Sequence, residues 1–71
     1  MSGDSWQLWN GGSIDFWTDH RGWSVDRLGP HDDWRSLVAA GLPSREAAEV
    51  VAVRYLYRHG LHRVTVVAVA P

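Results

Sequence analysis

Apolar and polar positions alternate along the first half of the chain and recur with helical spacing along the second. Residues 13–18 and 23–28 flank Asp19-His20-Arg21-Gly22, a turn-forming run, and read as the two arms of a hairpin. Opposed residues in a hairpin point to the same face, so side-chain parity fixes the register. Phe16 opposite Val25, with Thr18 opposite Trp23, gathers Ile14, Phe16, Trp23 and Val25 on one apolar face. Asp15, Trp17, Ser24 and Asp26 then occupy the other. A shift by one residue would set Phe16 against Ser24 and leave neither face clean. The chosen register makes Trp17 a large aromatic on the polar side, suited to contact a partner, to cover a nearby strand or to stack on Arg27.

Residues 5–9 form a short aromatic-rich run, expected to be a first strand ending at the turn Asn10-Gly11-Gly12. Residues 1–4 are small and polar and read as a disordered N-terminus, with residues 5–71 as a single domain. Gly29-Pro30-His31-Asp32-Asp33 is a loop. Residues 34–40 suit either a further strand or a short helix begun by Asp33; the strand is preferred, closed by Gly41.

The helical signal runs from Arg45 to about His59. Ser44 is a good N-cap, Glu46 places a carboxylate at the positive helix end, and Gly60 suits the left-handed position that ends a helix. Ala48, Val51, Ala52, Tyr55 and Leu56 share the core-facing stripe. Val50, Val53 and Tyr57 fall off that stripe, among Glu46, Glu49 and Arg54, so a second layer or a partner is expected to cover them. Residues 62–70 read as a strand apolar on both faces (Val64, Val66 and Ala68; Thr65, Val67 and Val69), expected at the centre of the sheet or in a dimer. The fold class is α+β: a small antiparallel sheet of three to five strands with one helix packed across it, in the order (β)ββ(β)αβ.

Composition narrows this picture. A chain of 71 residues holds one domain and is marginally stable, and without cysteine it has no disulfide or thiolate metal site to brace it. Dense packing of the five tryptophans, most of them expected in the core, or self-association must compensate. Arginine supplies all seven basic residues, with no lysine, a bias that together with abundant Ala, Val, Gly and Trp suggests a GC-rich genome such as that of an actinobacterium or its phage. The net charge of −1 disfavours strongly electrostatic nucleic-acid binding. Six Asp and three Arg give residues 1–35 a charge of −3, while two Glu and four Arg give residues 36–71 a charge of +2. No apolar run reaches the roughly 18 residues of a membrane span, and the first residues lack a basic start followed by an apolar stretch. A cytoplasmic location is expected.

Candidate chemistry is sparse. His59 and His62 lie three apart, but Gly60 between them breaks the helical geometry a metal pair needs, so no metal or other cofactor is expected. His59 suits the helix C-terminus through the dipole. Asp19-His20 and His31-Asp32-Asp33 are ordinary turn residues in predicted loops, and no nucleophile or phosphate-loop motif accompanies them, so no catalytic residue is assigned. Arg54, Arg58 and Arg63, with His59 and His62, form a basic cluster able to contact phosphates or an acidic protein.

Three strands followed by Gly41-Leu-Pro-Ser-Arg-Glu-Ala-Ala-Glu-Val50 resemble the arm-binding domain of phage-type tyrosine recombinases, and the same outline is similar to antitoxin domains of the HicB type. The resemblance covers about residues 13–58 and rests on a capped helix start. It implies a sheet lying in a DNA groove, from which the acidic hairpin of Asp15, Asp19 and Asp26 departs. The reading favoured by the residues is a small non-enzymatic protein-interaction or regulatory module, self-associating or binding a protein partner through Trp17, Val50, Val53 and Tyr57. The alternative is a nucleic-acid-binding module using Arg54, Arg58 and Arg63. No small-molecule substrate or membrane partner is expected.

Overall fold

The computed structural model describes residues 4–64. Four strands, β1 (Asp4–Gln7), β2 (Ser13–Asp19), β3 (Gly22–Leu28) and β4 (Arg35–Leu42), form one antiparallel sheet in sequence order, followed by the helix α1 (Arg45–His59). The fold is the expected α+β arrangement. The β2–β3 register is also the expected one, with Phe16 opposite Val25 and Thr18 opposite Trp23. Its turn is closed by Gly22 at φ +122°, a conformation that L side chains rarely adopt. A Cβ there would stand 2.6 Å from the Leu42 carbonyl oxygen, so glycine also lets the hairpin approach the end of β4.

Of residues 34–40, all but Trp34 belong to β4, the strand preferred over a short helix. Gly41 does not close it: the strand continues to Leu42. The β3–β4 register shifts twice, between Trp23 and Val25 and between Val25 and Asp26. The extra residues bend β4. The bend keeps Val38 and Leu42 packed against the core although the side-chain alternation is interrupted.

One face of the sheet carries α1. Ser44 Oγ accepts a hydrogen bond from Ala47 N at 3.1 Å, capping the helix start. Gly60 (φ +65°) ends it in the left-handed conformation, and Leu61 N donates back to Leu56 O at 2.9 Å. Ala48, Ala52 and Leu56 are buried against Trp6, Leu8, Ile14, Phe16 and Val25, with Val51 and Tyr55 partly buried beside them. The two alanines bring the helix close to the sheet. Trp6 meets Phe16 edge-on at 4.8 Å between centroids. At the helix start, the Arg45 guanidinium lies 4.2 Å over the Phe16 ring and pairs with Asp4 (2.7 Å) and Glu49 (2.9 Å), closing the rim of the core.

Three expectations are corrected. Of the tryptophans expected mostly in the core, Trp6 alone is buried there; Trp23 is partly buried and Trp9 and Trp34 are exposed, while Trp17 is exposed as its register placed it. The first strand begins at Asp4 rather than Ser5, and Trp9 falls in the following turn. Trp17 does not stack on Arg27, because Arg27 pairs with Ile14 and so faces the opposite side of the sheet. Arg27 is instead buried, 5.4 Å from the Trp34 ring, donating through Nη1 to the Leu28 carbonyl, while its Nε has no hydrogen-bond partner.

The expected strand 62–70 lies, beyond Val64, outside the described residues. Its first residues join the outer edge of β1 rather than the sheet centre. Arg63 bridges to Leu8, Trp9 N donates to His62 O at 3.0 Å, and Val64 N donates to Gln7 O at 2.8 Å.

Candidate functional site

The two faces of the molecule carry very different surfaces. On the helix-free face of the sheet, Asp15 and Asp26 stand directly opposite each other, a like-charged pair that destabilises a hairpin unless it is neutralised. Arg35, on β4, supplies the counter-charge: its Nη1 lies 2.7 Å from Asp15 Oδ2 and 3.5 Å from Asp26 Oδ2. Asp15 Oδ1 also accepts from Ser13 Oγ at 2.7 Å and from Ser5 Oγ at 3.0 Å. Burial pushes the Asp15 carboxyl up, but the bonds from Ser13, Arg35 and Ser5 outweigh it and hold it below the usual carboxylate range. The same contacts, led by the hydrogen bond to Asp15, raise Arg35. Trp17 completes this surface. Its Nε1 donates to Asp26 Oδ2 at 3.1 Å, so the ring lies along the polar network with about a third of its surface exposed.

The outward face of α1 is different. Val50, Val53 and Tyr57 are 53, 54 and 91% exposed, on the side of the helix away from Ala48, Ala52 and Leu56. Their spacing of three and four residues makes them one stripe. An open groove at the N-terminal half of the stripe is lined by Glu46, Glu49, Val50, Val53 and Arg54. A second, towards the C-terminal half, is lined by Val53, Arg54, Tyr57 and Arg58.

The structure therefore separates two groups that sequence reasoning placed together. Val50, Val53 and Tyr57 form a surface; Trp17 lies on the opposite side of the sheet and takes no part in it. The arginines are divided as well. Arg54 and Arg58 flank one side of Tyr57, whereas Arg63 lines a different groove, which shares Val53 and Tyr57 with the stripe and continues over Leu56, Gly60 and Leu61, and sets its guanidinium 3.9 Å over the Trp6 ring. Arg63 thus covers the core edge left by β1. His59 packs against Tyr55 at 4.3 Å between ring centroids. His20 and His31 are exposed in turns. Among the described residues no three His, Asp or Glu side chains are grouped to hold a metal ion, and no helix is long and apolar enough to cross a membrane.

Sequence reasoning missed the aromatic-covering roles of Arg45 and Arg63 and the neutralising role of Arg35. The last had a readable signal: the chosen register already opposed Asp15 to Asp26, and such a pair requires a cation from a neighbouring strand.

No family model matches the chain, and no curated protein or solved structure matches it significantly.

Proposed function

We propose that this chain is a small, non-enzymatic protein-interaction module that docks a partner through the outward face of α1. One observation carries the reading. The helix buries one stripe fully and presents a second apolar stripe, Val50, Val53 and Tyr57, to solvent. Solvent-facing helix positions in a monomer favour polar side chains, and a contiguous apolar row rimmed by charge is the pattern of a docking surface. Tyr57 is suited to act as an anchor, being large, amphipathic and limited to two side-chain torsions.

Nucleic-acid binding by Arg54, Arg58 and Arg63 has less support. The net charge is −1, Arg63 lies against Trp6, and the helix-free face carries two carboxylates already engaged by Arg35.

The test is affinity capture with tagged wild-type protein and Val53→Glu, each with and without nuclease, the fold of both checked by chemical denaturation. The reading expects a co-purifying protein that resists nuclease and is lost with Val53→Glu. Material that is unaffected by Val53→Glu, or that disappears with nuclease and with rising salt, would overturn it.

A further inference from the structure

We propose that the outward face of α1 is occupied by a second copy of this chain, packed antiparallel in an isologous pair. The inference rests on the preceding reading that this face docks protein, and it names the partner. Its argument is charge complementarity along one helix.

The exposed stripe is polar at its ends in opposite senses. Glu46 stands at the N-terminal end, and Arg54 and Arg58 flank the C-terminal half. Among the described residues none of these three charges has an ion-pair partner within its own chain. A parallel twofold pair would set Glu46 against Glu46 and leave the arginines about two turns away, on opposite flanks of the seam. An antiparallel pair instead brings Glu46 towards the arginines of the other copy, and it also opposes the two helix dipoles favourably.

The positions agree on one register. With the twofold axis midway between Val50 and Val53, Val50 of one copy stands beside Val53 of the other. The same register brings Tyr57 of one copy to Glu46 of the other. The tyrosine then enters the groove floored by Val50 and Val53, where Glu46 can accept its hydroxyl and Arg54 and Arg58 lie within a turn of that carboxylate. Each contact occurs twice, as an isologous interface requires. A helix of 15 residues is about 22 Å long and offers less than the roughly 800 Å² per partner of a standard interface. The pair belongs to the weak class, with association expected at tens to hundreds of micromolar, an order-of-magnitude range for small interfaces.

Sedimentation equilibrium over a concentration series reaching about 1 mM tests this. The wild type should move from monomer towards dimer mass. Glu46→Arg alone, and Arg54→Glu with Arg58→Glu, should each weaken association by about tenfold, since both turn attraction into repulsion. An equimolar mixture of the two variants should associate at least as well as the wild type, because both contacts are then attractive in the mixed pair. All these side chains are exposed, and unchanged denaturation midpoints at low concentration would show that folding is not the variable measured. A wild type that stays monomeric throughout overturns the self-pairing while leaving the docking face to the capture experiment. A dimer indifferent to Val53→Glu and to the charge changes overturns both. Failure of the mixture to restore association overturns the antiparallel register.

Discussion

Asp15→Asn is the substitution that most directly probes the helix-free face. The Asp15 side chain is 20% exposed and accepts three hydrogen bonds, from Ser13, Ser5 and Arg35. Asparagine keeps the shape and one acceptor oxygen, so both hydroxyls can still donate, but to a neutral group. A hydrogen bond to a charged acceptor is worth about 1.5–3 kcal/mol and one to a neutral acceptor about 0.5–1.5 kcal/mol. Arg35 is half exposed, so its ion pair is screened by solvent and adds little. The two weakened hydroxyl bonds together give a loss of about 2–3 kcal/mol at pH 7. The carboxyl titrates below its ordinary value of 3.8 in the folded chain. Its ionised form therefore stabilises the fold above that value, and the contribution is lost as pH falls through the lower folded-state pKa. Urea denaturation of wild type and variant, at pH 7 and at about pH 2, should show a gap that closes in acid, because protonated Asp15 and asparagine are then nearly equivalent. A variant as stable as wild type at pH 7, or a gap that persists unchanged in acid, would refute the reasoning.

Two further substitutions test the core and the helix start. Phe16→Ala removes a fully buried ring that touches Trp6 and supports Arg45. It should cost about 3–5 kcal/mol, a large share of the roughly 4–10 kcal/mol expected for a domain of this size, and should be visible as a denaturation midpoint moved to much lower denaturant concentration. Ser44→Ala removes the side-chain acceptor for Ala47 N and should lower stability by about 1 kcal/mol in a denaturation series.

The elements that were legible in the sequence are those whose signal is local. Ser44, Glu46 and Gly60 carry the chemistry of helix ends, and the helix runs between them as read. The hairpin register followed from parity, since only one alignment kept Phe16 and Val25 on the same face. What escaped depends on contacts distant in sequence. Trp9 and Trp34 looked like core because they are large and apolar, yet the core is filled by Trp6, Phe16, Ile14, Val25, Leu8, Leu56 and two alanines. Little room remains for another indole where Ala48 and Ala52 draw the helix down. Arg63 looked like a free cation at a helix terminus; its placement over Trp6 depends on the return of the chain past β1, which no local pattern specifies. The stripe of Val50, Val53 and Tyr57 was visible from helical periodicity, but its separation from Trp17 by the thickness of the sheet required the fold.

The central claim, that the outward face of α1 docks protein, is met most directly by a photo-crosslinking residue placed at Val53 and, in a separate sample, at His20 in the β2–β3 turn. Irradiation in cells should give a discrete protein adduct from position 53 and none from position 20. An adduct of twice the chain mass would identify a second copy, and another mass a different protein. No adduct from position 53, or the same adduct from both positions, would contradict the account.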